Sequence, residues 1–273
     1  MCFSNFGWRS QRAVDLKLGK RAMDNLRDFR HMGAGYGLRH IHGRSHRPFK
    51  VHVKGVGSVT LRPQSSDPEV FSQIFARHDY DLRYFPQFER IAAYSRAIVE
   101  RGRRPLILDL GANNGASALW FALLFPEAKV VAVEPEPNNA AICRENTQGH
   151  DVEVLAVAIG STSGSVDLET AGEEWACVTS RNERGSVLVR TVDDIVAAQS
   201  DDYELFIVKI DIEGFEGDLF ADNTGWVDQA KVVIIEPHDW MFPGQLTSRN
   251  FQRVLGAGAF EVVISGENLI YVR

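Results

Sequence analysis

The stretch Pro105-Leu-Ile-Leu-Asp-Leu-Gly-Ala-Asn-Asn-Gly115 decides the fold class of this chain. It starts with an apolar run, as a strand buried on both faces of a sheet does, and a helical pattern begins at Ala116. Gly111 and Gly115 allow the backbone to turn tightly and a ligand to approach it closely. The free amide groups at the start of the following helix suit a carboxylate or a phosphate. The stretch therefore predicts a strand, a ligand-binding turn and a helix.

A carboxylate follows the next apolar run, in which Lys129-Val-Val-Ala-Val133 leads to Glu134-Pro135. We expect this run to form a second strand. At the tip of such a strand, a carboxylate can accept hydrogen bonds from the two hydroxyls of a ribose. The glycine turn and Glu134 together predict a pocket for a cofactor that contains adenosine.

The spacing of the glycines distinguishes between two such cofactors. A dinucleotide fingerprint reads G-x-G-x-x-G, but here Asn113 occupies the place of its middle glycine. Asp109, two residues ahead of the turn, would repel a pyrophosphate and attract the ammonium group of an amino acid. The pattern therefore favours S-adenosylmethionine, and an ordinary turn between strand and helix is the alternative.

Composition limits the class of protein. The 273 residues, 44% hydrophobic and 24% charged, are typical of a globular chain with one large domain, with or without an appendage. The longest apolar run, residues 118–125, is far shorter than the roughly 18 residues that cross a bilayer. No secretory signal pattern is present, and the three cysteines are scattered. We therefore expect a cytoplasmic location.

Charge is distributed unevenly along the chain. Residues 1–54 contain 12 lysines and arginines and 3 acidic residues, so the remainder contains 18 basic and 33 acidic residues. The basic segment could touch an anionic membrane surface, nucleic acid or an acidic substrate, or it could pack as a solvated helix on the acidic remainder of its own chain or of a second copy. We favour the second interpretation. No nucleic-acid partner is expected, because the segment lacks the interleaved aromatic residues of single-strand binders.

The pattern of the chain divides it into three segments. Residues 1–48 form a basic arm, with an amphipathic helix predicted within residues 10–31, and residues 49–103 form a cap of a β-hairpin and helices. Residues 104–273 alternate strands and helices, which predicts a mainly parallel sheet. Its predicted strands are residues 106–109, 130–134, 152–158, 205–211 and 232–236, with an inserted hairpin at 165–168 and 186–190 and a closing antiparallel pair at 260–264 and 268–272.

Charged residues also follow two later strands. One run reads Lys209-Ile-Asp211-Ile-Glu213 and the other Glu236-Pro-His238. In open α/β sheets ligands bind beyond the carboxyl ends of the strands, so we expect these side chains to meet. Three carboxylates and an imidazole predict a general-base site or a divalent-metal site, and capping of the following helices is the alternative. Lys209, inside an apolar strand, requires a carboxylate partner and predicts either a buried ion pair or a catalytic amine.

From Val59 onward the chain resembles the FkbM-type S-adenosylmethionine-dependent methyltransferases. The resemblance rests on the motifs Asp109-Leu-Gly-Ala-Asn-Asn-Gly115, Glu134-Pro135, Ala156-Val-Ala-Ile-Gly160 with Gly164, Thr191-Val-Asp-Asp-Ile195, Lys209-Ile-Asp-Ile-Glu-Gly-Phe-Glu216 and Ile235-Glu-Pro-His238. The resemblance implies a class I methyltransferase, with a Rossmann-like, mainly parallel seven-stranded α/β sheet, helices on both faces and a small N-terminal α/β cap. It also implies methylation of a hydroxyl on a sugar, a glycan or a natural-product scaffold.

The resemblance also implies roles for individual residues. Asp109, Gly111, Asn113 and Gly115 would hold the methionine end of the cofactor, Glu134-Pro135 the ribose, and Ala158 and Ile159 would border the adenine. Asp211 and Glu213 would face the transferred methyl group, with Lys209, Glu236 and His238 beside them. His238 is the side chain that we expect to titrate near neutral pH. Many family members have an acidic residue where this chain has Gly160-Ser161.

Two other classes of protein share this kind of sheet. A nicotinamide-dependent sugar oxidoreductase or epimerase is disfavoured by Asn113 and by the absence of a Tyr-x-x-x-Lys pair. A non-catalytic binding module is disfavoured by the set of charged residues at the strand ends. The sequence does not identify the acceptor, the metal requirement or the oligomeric state.

Overall fold

The computed structural model describes residues 23–38, 47–63, 65–170, 177–182 and 185–273. These residues belong to two compact units, one ending at Arg77 and the other running from His78 to Arg273. The amphipathic helix predicted within residues 10–31 is described from residue 23 onward, and its earlier part lies outside the described residues.

The first unit contains a β-hairpin and short helices. Its elements are α1 (residues 23–32), α2 (Ala34–Gly37), β1 (Phe49–Val53), β2 (Gly57–Leu61) and α3 (Asp67–Phe75). Val51 lies opposite Val59 in the antiparallel pair, which confirms the predicted hairpin. The buried carboxylate of Asp67 accepts hydrogen bonds from the backbone amide and the guanidinium of Arg62, and so links the hairpin to α3.

The second unit alternates strands and helices, as predicted. Its elements are α4 (Phe88–Glu100), β3 (Arg104–Leu110), α5 (Ala116–Leu124), β4 (Lys129–Val133), α6 (Pro137–Asn146), β5 (Val152–Leu155), β6 (Ala158–Ile159), β7 (Gly164–Thr170), β8 (Cys177–Arg181), β9 (Val187–Arg190), α7 (Val192–Ala197), β10 (Tyr203–Ile210), α8 (Glu216–Leu219), β11 (Val232–Ile235), α9 (Arg249–Ala257), β12 (Glu261–Ser265) and β13 (Asn268–Val272). Short 3-10 helices cover Leu82–Tyr84 and Gly225–Asp228.

A seven-stranded sheet in the order β12-β13-β11-β10-β3-β4-β5 organises this unit. The five strands from β11 to β5 are parallel, and β13 and β12 close the sheet as an antiparallel pair. The central strands are apolar runs buried along most of their length, and Trp226 and Phe251 belong to the core that packs on them. The predicted seven-stranded, mainly parallel α/β sheet is confirmed. Its geometry brings the carboxyl ends of β3, β4, β10 and β11 to one edge.

The predicted third strand, residues 152–158, is two strands in the structure. Pairing with β4 ends where Val133 lies opposite Leu155, and Ala158–Ile159 instead pairs in parallel with β9. β6 thereby joins a second sheet of order β6-β9-β7-β8. The predicted inserted hairpin was incomplete, because β7 pairs with the unpredicted β8 as well as with β9.

The predicted cap is divided between the two units. Its hairpin and α3 fall in the first unit, whereas α4 falls in the second, where it contacts β3 and β10. Burial of Ile91 and Ile98 from α4 explains this placement, because the apolar side of an amphipathic helix needs a packing partner. In the parts of the chain that the structure describes, no helix is both long enough and apolar enough to span a membrane.

Candidate active site

The glycine turn after β3 touches the end of β10. Gly111 has a φ of 81°, and a Cβ atom at this position would lie 1.7 Å from the carbonyl oxygen of Asp211. The Asp211 amide in turn donates to the carbonyl of Leu110 at 3.0 Å. Only glycine therefore permits this approach, and the turn and Asp211 form one edge of a common site.

Gly115 serves packing between helices. With a φ of 84° it precedes α5, and a Cβ atom there would lie 2.9 Å from the Sγ of Cys143 in α6. Asn113, inside the turn, has a φ of 48° and donates its backbone N–H to Glu134 at 2.8 Å. The side-chain oxygen of Asn113 is buried without a hydrogen-bond partner. Such an acceptor is expected to meet a donor from a ligand.

A cleft of about 590 Å³ opens beside this turn. Its lining residues are Gly111, Asn113, Val133, Glu134, Pro135, Asn139, Ala158, Ile159, Asp211, Ile212, Glu213 and Phe215. Seven of the nine predicted cofactor residues are among them. Asp109 and Gly115 are the two that lie outside the lining.

Glu134 is held in place by three hydrogen bonds. Its Oε2 accepts from the Asn113 amide, and its Oε1 accepts from the Glu136 amide at 2.9 Å and from Asn139 at 3.3 Å. Burial raises the pKa of Glu134, and these hydrogen bonds oppose the shift. Since a carboxylate has about four acceptor positions and three are used, Oε2 can still accept one hydrogen bond from a ribose hydroxyl.

Asp109 is fully buried beneath the glycine turn. One carboxylate oxygen accepts from Ser117 Oγ at 2.6 Å, and the other lies 3.1 Å from Lys209 Nζ. Its predicted contact with the ammonium group of a cofactor is not supported by this placement, because the carboxylate is fully buried and lies outside the cleft lining.

Lys209, only 2% exposed, connects the two halves of the site. Its ammonium donates to the carbonyl of Gly111 at 2.7 Å and lies 3.5 Å from Asp211 Oδ2. Burial lowers the pKa of Lys209, but Asp109, Tyr80 and Asp211 together raise it further, so the net shift is upward. Lys209 is therefore charged at neutral pH. Of the two predicted alternatives, the structure contains the buried ion pair.

Tyr80 was not predicted to belong to this region. The Lys209 ammonium lies 5.9 Å from the centroid of its ring, and Trp120 Nε1 donates to its backbone carbonyl at 3.0 Å. Burial raises the pKa of Tyr80 well above its usual value. No sequence signal could have found it, because it lies far from Lys209 in the chain and outside any motif.

His238 lies among four carboxylates. Its Nδ1 is 2.8 Å from Glu216 Oε1, and its Nε2 is 3.5 Å from Asp211, 3.7 Å from Glu213 and 3.8 Å from Glu236. All the predicted acid and base residues thus meet at the ends of β10 and β11. Glu216, the last residue of the quoted 209–216 motif, had no predicted role, although its position in that motif was a usable signal.

These five residues, Asp211, Glu213, Glu216, Glu236 and His238, form what we call the carboxylate cluster. The pKa values of three of them, Glu213, Glu236 and His238, differ from their usual values. Burial, together with the charge of Asp211, raises the pKa of Glu213 to about 7 and that of Glu236 to about 8. Burial alone would lower the pKa of His238, but its hydrogen bond to Glu216 and the charge of Asp211 raise it to about 9. The prediction that His238 titrates near neutral pH was therefore wrong. Glu213 and Glu236 are the groups that do so.

Three groups of the cluster have the spacing of a metal site. One ligand atom each from Asp211, Glu213 and His238 lies within 4.8 Å of the others. Oxygen and imidazole ligands suit several divalent cations. The arrangement can therefore serve as a proton acceptor or as a cation site.

Comparison with known proteins places this site in a family. The profile of the methyltransferase FkbM domain matches residues 109–256, which include the glycine turn and the whole carboxylate cluster. The chain belongs to this family. It is an FkbM methyltransferase, and S-adenosylmethionine is its methyl donor.

Two relatives of this FkbM methyltransferase have descriptive names. The 2-O-methyltransferase NoeI of Sinorhizobium fredii is 28% identical over 181 residues, which are 58% of this chain and 73% of NoeI. The hexuronic acid methyltransferase AglP of Haloferax volcanii is 25% identical over 156 residues, or 56% of this chain and 64% of AglP. Among solved structures, magnesium protoporphyrin IX methyltransferase from Synechocystis, with S-adenosylmethionine bound, is 13% identical with a TM-score of 0.36 over 74% of this chain and 83% of that one.

The residues of the cleft fit this cofactor. The unpaired oxygen of Asn113 can accept from an ammonium group, the fixed Glu134 carboxylate can accept from a ribose hydroxyl, and Gly111 lines the same cleft. Ser161, which follows β6, donates its amide to Asp218 Oδ1 of α8 at 3.0 Å.

Proposed function

We propose that this FkbM methyltransferase methylates a hydroxyl of a sugar, within a glycan or a natural product. The observation that carries the proposal is the carboxylate cluster at the ends of β10 and β11, which shares Asp211 and Glu213 with the cofactor cleft. A sugar hydroxyl is a weak nucleophile that needs a proton acceptor close to the methyl donor. The names of NoeI and AglP support a sugar as the acceptor.

The cofactor lies in the cleft in this proposal. Gly111 and Asn113 hold its methionine end, Glu134 and Pro135 its ribose, and Ala158 and Ile159 border its adenine. When bound, S-adenosylmethionine supplies an electrophilic methyl group on a sulfonium centre. Lys209 fixes the Gly111 carbonyl and Asp211 relative to each other, so it acts as a positioning residue.

Glu213 accepts the proton of the acceptor hydroxyl. It lines the cleft, and its pKa of about 7 makes it a stronger base than an ordinary carboxylate at the same pH. Asp211 orients the hydroxyl, and Glu236 receives the proton from the cluster. Protonated His238 keeps the carboxylates close to one another despite their like charges.

A divalent cation at Asp211, Glu213 and His238 is a second proposal about the same site. It is favoured by the spacing of their ligand atoms. A bound cation would require neutral His238 and would lower the pKa of the acceptor hydroxyl. Transfer activity that survives exhaustive chelation would reject the cation, whereas activity restored by one metal would support it.

Isothermal titration tests the cofactor pocket directly. We expect micromolar, one-to-one binding of S-adenosylhomocysteine and no binding of NAD under the same conditions. Transfer of labelled methyl groups to a panel of glycosides then tests the acceptor class. Binding of NAD instead, or methylation of amines but not of hydroxyls, would contradict the proposal.

We also propose that the segments meet at residues 48 and 103 and that the protein is cytoplasmic. We further propose that the basic segment makes peripheral contact with a membrane and that the chain assembles with a second copy. The net charge of residues 1–54 motivates the last two.

A further inference from the structure

The loop after β11 carries an exposed tryptophan close in sequence to the carboxylate cluster. Trp240 is 63% exposed and lies two residues after His238, which is buried in that cluster. Single exposed apolar residues are common on protein surfaces, so exposure alone assigns no role. The setting of Trp240 in the loop supplies the argument.

Internal hydrogen bonds fix this loop. The Met241 amide donates to the carbonyl of His238 at 3.0 Å. The Asp239 carboxylate accepts from Thr247 Oγ1 at 2.9 Å, from the Ser248 amide at 3.2 Å and from the Ser248 hydroxyl. The backbone that carries Trp240 is thus braced by hydrogen bonds, so its ordering adds little to the entropic cost of binding.

Phe242, two residues after Trp240 in the same loop, packs near the cleft. A Cβ atom at Gly214 would lie 2.2 Å from the ring of Phe242, so this ring packs on the backbone next to Glu213. Glu213 itself lines the cleft. In the chain, Trp240 therefore lies between His238, which belongs to the carboxylate cluster, and Phe242, which packs on the residue after Glu213.

Charge limits what can bind beside this ring. Among the described residues that line the cleft, Glu134, Asp211 and Glu213 carry carboxylates, and none is a lysine or an arginine. Lys209 below them is already paired with Asp109, and the protonated His238 is shared by four carboxylates, so neither cation is left for an acceptor carboxylate. A carboxylate on the acceptor would meet like charges, whereas hydroxyl groups can donate hydrogen bonds to the same oxygens.

We propose that the loop of residues 236–248 is the acceptor subsite, in which Trp240 stacks on an uncharged pyranose ring. The apolar C–H face of the sugar packs on the indole, and its hydroxyl edge points to the carboxylate cluster. This inference rests on the proposed sugar acceptor and adds to it the charge class and the residue that recognises the ring.

Saturation-transfer NMR tests the subsite with simple sugars in place of the natural acceptor. The probes are the methyl glycosides of glucose, galactose, mannose and fucose, and the uronic acids that correspond to the first three. Each is added to the full chain saturated with S-adenosylhomocysteine. We expect at least one neutral glycoside to receive magnetisation, and its uronic acid to receive at least fivefold less.

Three variants link this signal to Trp240. We expect Trp240→Ala to reduce the signal of the neutral glycoside at least fivefold, and Trp240→Phe to keep at least half of it. Leu246→Ala is the matched control, since Leu246 is 60% exposed in the same loop and should leave the signal unchanged. The affinity for S-adenosylhomocysteine, measured by titration, should be the same in all three.

Each contrary outcome is decisive. An unchanged signal in Trp240→Ala, a uronic acid signal equal to the neutral one, or no signal from any neutral glycoside would overturn the subsite. If S-adenosylhomocysteine still binds, the proposed methyl transfer stands in these cases. If the unaltered chain does not bind S-adenosylhomocysteine, the proposed function itself is rejected.

Discussion

The ends of β3 and β10 both bring a carboxylate next to a cation, yet the two places differ in charge balance. At β3, buried Asp109 is matched by Lys209 and Ser117. At β10, Asp211 and Glu213 share His238 with Glu216 and Glu236, so four carboxylates surround one imidazole. A matched pair is a structural element, whereas an excess of carboxylates raises pKa values and creates groups that exchange protons near neutral pH.

Removal of Lys209, the cation of the matched pair, should give the largest effect, which is a loss of stability. Lys209→Met leaves Asp109 as an uncompensated buried charge, and breaking a buried pair in this way costs about 3–5 kcal/mol of unfolding free energy. Urea denaturation followed by circular dichroism measures the loss. The double variant Asp109→Asn with Lys209→Met should recover part of the stability, because no charge is then left buried alone.

Arg101→Met provides the control for this effect. Arg101 pairs with Glu204 at 2.8 Å on the surface, where an ion pair contributes at most about 1 kcal/mol. If Lys209→Met were no more destabilising than Arg101→Met, the distinction between the two strand ends would fail.

The sheet could be predicted from the sequence because its strands are apolar runs that end in charged residues. β3 and β10 illustrate this, since Asp109 and Asp211 mark their carboxyl ends. The separate strand β6 could not be predicted, because Ala158–Ile159 continues the apolar pattern of β5 and only its pairing with β9 distinguishes it. β8 was missed for a similar reason, since its pairing with β7 gives it its place in the sheet.

The residues that form the site could be predicted from the sequence, but the charge interactions among them could not. Asp211, Glu213, Glu236 and His238 follow strands that lie side by side, so the rule of carboxyl ends brings them together. The pKa of His238 depends on Glu216, whose carboxylate reaches Nδ1 from a four-residue helix without any periodic signal. Lys209 likewise gains its neighbour Tyr80 only through tertiary packing.

Changes to the unmatched carboxylates should affect turnover rather than stability. Glu213→Gln removes the proposed proton acceptor and should lower turnover at least a hundredfold, within the range of about 10² to 10⁴ for general bases. Asp211→Asn and His238→Ala should also lower turnover strongly. Steady-state methyl transfer gives the rates, and titration with S-adenosylhomocysteine should show nearly unchanged affinity.

Glu153→Gln is a matched control, because Glu153 pairs with Lys129 at 2.7 Å and lies outside the cleft lining. Its turnover should equal that of the unaltered chain. Full turnover in Glu213→Gln would remove this residue from catalysis. Full turnover in both Asp211→Asn and His238→Ala would mean that the carboxylate cluster serves only the structure, as Asp109 does.

The smallest expected effect is on the pH dependence of turnover, which the carboxylate cluster sets. Turnover should rise as pH increases through about 7, where Glu213 loses its proton, and fall above about 9, where His238 loses its own. Glu216 raises the pKa of His238, so Glu216→Gln should lower that pKa and move the alkaline limb of the profile to lower pH. A fixed alkaline limb would show that His238 titration does not govern the rate. A shift of the acid limb alone would instead show that Glu216 acts on the rate through Glu213, whose pKa its charge raises.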